Sequence, residues 1–142
     1  MATQSRVWLI TGSSSGLGKA IIETLLADTN DRAIATCRNP TVLSYLTSQY
    51  GTNRLVVQKL DVTKPEEVQQ AFAAGLKAFG TIDVVVNNAG YALIGEIEGI
   101  PEEDARQQFE VQFWGPVRVS KEVCIFLMVG NPHNGELGIT NF

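Results

Sequence analysis

Short apolar runs alternate along the chain with stretches whose apolar residues recur every third or fourth position. Val7-Trp8-Leu9-Ile10 reads as a strand, and Lys19 to Leu26 as the helix that follows it. Ala33 to Cys37 predicts a second strand, and Pro40 to Tyr50 a short helix closed by Gly51. Leu55 to Leu60 predicts a third strand. The next helix opens at Thr63-Lys64-Pro65-Glu66, with Thr63 as cap, Glu66 completing a capping box and Pro65 in the first turn. It runs to about Phe79 and ends at Gly80. Ile82 to Val86 is apolar enough for a fourth strand buried on both faces. After a loop to Pro101, one long helix is expected from Glu102 to about Val129, with Ala105, Phe109, Phe113 and Val117 forming its buried stripe. The pattern over Glu136 to Phe142 allows a fifth strand.

Repeated strand–helix units imply an α/β fold with a parallel sheet and helices on both faces, a three-layer sandwich of about five strands. At 142 residues the chain fits one domain, 1–142, with no repeat or linker. Such sheets bind ligands at the carboxyl ends of their strands, where the strand order reverses. The net charge of −4 and the absence of a basic stripe argue against nucleic acid. No apolar run approaches the ~20 residues that span a membrane. The opening residues, Met1 to Arg6, lack the apolar core of a signal peptide. Cys37 and Cys124 show no metal-like spacing, so reduced thiols and a cytoplasmic location are expected. The lone histidine, His133, falls in a turn-rich stretch and reads as an exposed loop residue.

One loop carries specific chemistry. Thr11-Gly12-Ser13-Ser14-Ser15-Gly16-Leu17-Gly18 lies between the first strand and the first helix. Glycines let the backbone turn tightly and approach a phosphate, while free N–H groups and the helix dipole favour an anion. The spacing G-x-x-x-G-x-G holds one more residue between the first two glycines than the standard dinucleotide fingerprint. Serines fill that space, with hydroxyls able to donate to phosphate or cap the helix.

Two further motifs follow predicted strands in order, Asp61-Val62 and Asn87-Asn88-Ala89-Gly90. Together with the glycine loop they make the chain, from Val7 to about Asn141, resemble the short-chain dehydrogenase/reductase family in its Rossmann-like form. The resemblance implies that Gly12, Ser14, Ser15, Gly16, Leu17 and Gly18 hold the adenosine end and pyrophosphate of a nicotinamide dinucleotide. It implies that Asp61 and Val62 contact the adenine, and that Asn88, Ala89 and Gly90 line the ribose and secure the fourth strand. Lys121 lies where some members keep a basic residue near the cofactor, although its simpler reading is a surface lysine. At the end of the second strand, where NAD-binding folds often place a carboxylate for the ribose 2′-hydroxyl, stand Cys37 and Arg38. A neutral residue beside a guanidinium suits a 2′-phosphate, so NADP is favoured over NAD.

The family's catalytic pattern is Tyr-x-x-x-Lys with an upstream serine and an asparagine on the long helix. Four residues after Tyr45, Tyr50 and Tyr91 stand Gln49, Arg54 and Gly95, so no tyrosine–lysine pair is present and no catalytic residue is assigned. Tyr50 and Arg54 read as structural. Gln112 takes the asparagine position, its amide displaced by one methylene. The sheet is therefore expected to be incomplete at its C-terminal side. The chain reads as the N-terminal half of an NADP-dependent oxidoreductase for a carbonyl/alcohol pair, without full catalytic competence. A non-catalytic dinucleotide-binding module and an inactive truncation product are the alternatives. Tyr91, Ala92 and Leu93 are placed to touch a substrate without specifying one. Phe109, Phe113, Trp114, Ile125, Phe126 and Leu127 include residues expected to lack partners, which predicts self-association.

Overall fold

A computed structural model describes residues 5–130 and 138–141. Its element order is β1 (Val7–Ile10), α1 (Gly16–Asp28), β2 (Arg32–Cys37), a 3₁₀ turn (Pro40–Leu43), α2 (Ser44–Tyr50), β3 (Leu55–Lys59) and α3 (Pro65–Phe79). There follow β4 (Val84–Asn87), a second 3₁₀ turn (Ile97–Gly99), α4 (Glu102–Phe109), a π turn (Glu110–Trp114), α5 (Gly115–Gly130) and β5 (Gly138–Asn141). All strands are parallel, in the order β3-β2-β1-β4-β5. The order reverses between β1 and β4, which places the ligand-binding crevice at their carboxyl ends. The expected fifth strand is present as β5, while His133 and residues 136–137 lie outside the described residues.

Period-two alternation sends successive strand residues to opposite faces of the sheet. Val7, Leu9, Ile34 and Val85 pack toward α3 and α5, where Val68, Phe72, Val119 and Val123 meet them. Ile10, Ala33, Ala35, Val84 and Val86 pack on the other face against Ile22, Leu25 and Leu26 of α1 and Leu46 of α2. The two clusters are the two interfaces of the three-layer sandwich.

Helix boundaries depart from the periodicity in two places. The residue at the N-cap position of α3 is Lys64, and Thr63 does not cap it. The Thr63 N–H and hydroxyl both donate to Asp61 Oδ1, at 2.9 and 2.8 Å, and so close an Asx turn. Glu67, rather than Glu66, reaches back from the first turn, accepting from the Asp61 N–H at 2.7 Å. The long helix is interrupted by the π turn at Glu110–Trp114, which separates α4 from α5.

The buried stripe of that helical segment also differs from the expected one. Phe109 and Phe113 are 68% and 53% exposed. The face on the core is instead formed by Val111, Gly115, Val119 and Val123. Both series step by four, and they are offset by two positions, about 200° around a helix. Hydrophobicity alone favours the series with phenylalanines. Close packing favours the one with Gly115, because a Cβ there would lie 2.7 Å from Val62 Cγ2.

Candidate functional site

The glycine loop is fixed at its root and free at its tip. The Thr11 N–H donates to the Val86 carbonyl at 3.0 Å, and the Thr11 hydroxyl also donates to it, at 3.2 Å. The same hydroxyl oxygen accepts from the Asn88 and Ala89 N–H groups, each at 3.0 Å. Asn88 Nδ2 donates to the Thr11 carbonyl at 2.9 Å and the Gly12 carbonyl at 3.1 Å. The Ser13 N–H donates to Thr36 O, and the Ser13 hydroxyl to Ile10 O, both at 2.9 Å. These bonds tie the loop to β4 on one side and β2 on the other. Asn88 thus ties the loop to the end of β4.

Beyond Ser13 the loop turns outward. Ser14, Ser15, Gly16 and Leu17 are exposed, and Ser15 occupies the N-cap position of α1 without a side-chain capping bond. The first N–H groups of α1 have no partner within the helix. Gly12 and Gly16 have φ of +69° and +55°, the left-handed region that favours glycine. A Cβ on Gly12 would stand 2.8 Å from Ala89 Cα, and one on Gly18 would stand 2.4 Å from both the Gly12 carbonyl oxygen and Asn88 Nδ2. A Cβ on Gly16 would meet nothing within 4 Å. Gly12 and Gly18 therefore serve close packing, while Gly16 leaves open space over the helix N-terminus.

That open space continues into a cavity of about 450 Å³ at the carboxyl ends of the strands. Gly12, Ser14, Ser15, Gly16, Leu17, Arg38, Asp61, Val62, Asn88, Ala89 and Gly90 all line it. Gly18 is buried beneath the loop. Lys121 is not brought to this cavity; it lines a second groove of about 950 Å³ with Asn87, Gln112 and Ser120. Ala89 and Gly90 border both spaces. Sequence reasoning missed Leu60, Gln107 and Val111 as further lining residues. It also missed Glu67, whose position three residues after Lys64 is that of the reciprocal glutamate in a capping box.

The electrostatics divide across the cavity. Partial burial pushes the Asp61 carboxyl up, but the two Thr63 hydrogen bonds and the Arg38 and Lys64 cations outweigh it and hold the group below its ordinary value. Asp61 is thus ionised at neutral pH. Burial pushes the Cys37 thiol up, and its Sγ donates to Asn39 O at 3.2 Å, so that position carries no charge at neutral pH. Arg38 is exposed at the rim.

The Tyr45 hydroxyl donates to Glu23 Oε1 at 2.7 Å, and desolvation together with the Glu23 carboxylate pushes it up to about 12. Arg54 lies over the Tyr50 ring at 5.6 Å and donates to the Leu26, Thr29 and Asp31 carbonyls, which supports the structural reading of that pair. Gln112 Nε2 donates to the Tyr91 carbonyl at 2.5 Å. Among the described residues no cluster of His, Cys, Asp or Glu could hold a metal ion, and no helix is long and apolar enough to cross a membrane.

Residues 6–137 match the family model described as short chain dehydrogenase. The chain belongs to the short-chain dehydrogenase family. It is 45% identical over 123 residues to the oxidoreductase BOA17 of Botryotinia fuckeliana, covering 87% of this chain and 44% of that protein. It is 39% identical over 133 residues to the oxidoreductase calM of Penicillium decumbens, covering 92% and 43%. Among solved structures, a short-chain dehydrogenase from Streptomyces avermitilis superposes with a TM-score of 0.86 at 34% identity, over 99% of this chain and 50% of that one. An alcohol dehydrogenase from Thermococcus sibiricus, complexed with 5-hydroxy-NADP, superposes with a TM-score of 0.78 at 30% identity, over 87% and 54%. A Brucella melitensis reductase complexed with NADH, 23% identical with a TM-score of 0.86 over 97% and 57%, shares the fold. The short-chain dehydrogenase chain described here spans about half the length of each of these proteins.

Proposed function

We propose that the chain binds NADP in the 450 Å³ cavity, as the dinucleotide-holding portion of an oxidoreductase acting on a carbonyl/alcohol pair. The observation that carries this reading is the convergence of eleven of the thirteen expected cofactor residues on one cavity over the open N-terminus of α1. The cavity fits the group: Gly16 leaves room for a phosphate, and the exposed Ser14 and Ser15 hydroxyls can donate to it. Asp61, ionised, accepts from the adenine amine. Arg38 at the rim, beside the neutral Cys37, takes the 2′-phosphate with its planar fork of donors. When bound, the nicotinamide supplies hydride transfer.

The 142 residues contain no tyrosine four positions before a lysine, so they hold the cofactor without turning it over at enzyme rates. Titration with NADP and NAD tests the cofactor assignment. NADP is expected to bind at least tenfold more tightly, and Arg38→Ala to bring the two within about threefold, because a charge-assisted bond contributes about 1.5–3 kcal/mol. Tighter binding of NAD would refute it. Single-turnover reduction of a carbonyl substrate with NADPH tests the second part, and turnover at ordinary rates would overturn it.

A further inference from the structure

Glu67 occupies a place that capping alone does not explain. One carboxylate oxygen, Oε2, accepts from the Asp61 N–H at 2.7 Å. The other, Oε1, accepts from Lys59 Nζ, also at 2.7 Å. Lys59 closes β3, Asp61 stands two residues beyond it at the cavity wall, and Glu67 lies in the first turn of α3. A single side chain therefore fixes the β3–α3 connection from inside. The turn is closed independently by the Lys64 N–H donating to the Asp61 carbonyl at 2.9 Å.

The Asp61 side chain is fixed too, but only on one oxygen. Oδ1 accepts both Thr63 donors, while no hydrogen bond from the described residues goes to Oδ2. With its backbone N–H held by Glu67 and its Oδ1 held by Thr63, Asp61 has one carboxylate oxygen left for a ligand. We infer that Glu67 is a positioning residue for adenine recognition, aiming Asp61 Oδ2 at an exocyclic amine. The inference rests on the proposal that the cavity holds NADP, and adds a residue that does not line the cavity. Lys59 is 59% exposed and contributes little to this, since a surface ion pair is worth little.

The test compares the affinities of NADP and its hypoxanthine analogue, in which a carbonyl oxygen replaces the 6-amine. The parent 142-residue chain is expected to favour the adenine form about tenfold, the scale of one hydrogen bond to a charged group. Glu67→Ala is expected to reduce this ratio to about twofold. Glu67→Gln, whose amide oxygen can still accept from the Asp61 N–H, is expected to keep most of it, and Lys59→Ala to leave it unchanged. A merely structural Glu67 would weaken both dinucleotides equally in Glu67→Ala and leave the ratio intact, which would overturn the inference. Should Glu67→Ala fail to fold, Glu67→Met, which fills the same space without an acceptor for the Asp61 N–H, is expected to reduce the ratio to about twofold, and a parental ratio in Glu67→Met overturns the inference. A parent chain that binds neither dinucleotide overturns the cofactor proposal itself, so the two failures are distinguishable.

Discussion

Substituting alanine for Gly18 and for Gly16 in turn separates the part of the glycine loop that holds the fold from the part that faces a ligand. A Cβ on Gly18 would come within 2.4 Å of the Gly12 carbonyl oxygen and of Asn88 Nδ2, against the 3.0 Å that real contacts respect. Neither group is free to retreat, because Asn88 Nδ2 donates to that carbonyl and to Thr11 O. Overpacking costs about 1–3 kcal/mol. Losing one of the Asn88 bonds adds about 1 kcal/mol. The expected loss for Gly18→Ala is thus about 3 kcal/mol, or a fall in melting temperature of about 10 °C for a chain of this size. Gly16→Ala meets no neighbour within 4 Å but places alanine at a φ of +55°. Its stability cost is about 1–2 kcal/mol. Its methyl group would stand in the space over the helix N-terminus, so dinucleotide affinity is expected to fall at least tenfold. Urea unfolding with a constant slope, paired with cofactor titration at a temperature where each variant is folded, gives both quantities. A Gly18→Ala chain within 1 kcal/mol of the parent, or a Gly16→Ala chain with parental affinity, would refute this division of the loop.

Phe72→Ala, which empties a fully enclosed position between α3 and the sheet, is expected to cost about 3–5 kcal/mol by chemical denaturation. Phe109→Ser with Phe113→Ser should change stability by no more than about 0.5 kcal/mol per site, since both side chains are exposed, and should lower self-association measured by sedimentation velocity. Asp61 and Glu67 both lie below their ordinary values in the fold, for Glu67 chiefly through the Lys59 hydrogen bond. Groups depressed in this way stabilise above their unfolded values and lose that contribution as pH falls through the folded ones. Stability is therefore expected to hold from pH 7 to about 5 and to decline below about 4. A stability that falls already between pH 7 and 6 would contradict the assignment.

Most of the architecture was legible because β1, β2 and β4 are largely buried and read as mainly apolar runs. Gly51 and Gly80 marked helix ends correctly, each with a positive φ that stops a helix. The loop residues were legible because backbone chemistry demands glycine there. Three features were not. Gly115 counted against burial in a hydrophobicity pattern, although its missing Cβ is what lets α5 approach Val62. The π turn leaves no mark in a fourfold step, so one helix was expected where two occur. Glu66 and Glu67 are indistinguishable by type, and only the turn at Asp61–Lys64 decides which of them faces back.

The amino ends of the strands hold the opposite kind of chemistry. There Asp31 accepts from the Arg6 N–H and from Trp8 Nε1, at 2.9 and 2.8 Å, and Asp83 accepts from the Val7 N–H at 2.8 Å. Arg54, entering β3, binds the carbonyls at the end of α1. Every polar group named at that edge is spent on another part of the chain, whereas at the carboxyl edge Ser14 and Ser15 are exposed and Asp61 Oδ2 takes no hydrogen bond from the described residues. Labour is divided along the strand axis, with anchorage at one end and reception at the other. The practical result is a scaffold whose receiving loops can be exchanged or lengthened as a set, provided the Asp31, Arg54 and Asp83 ties are left in place.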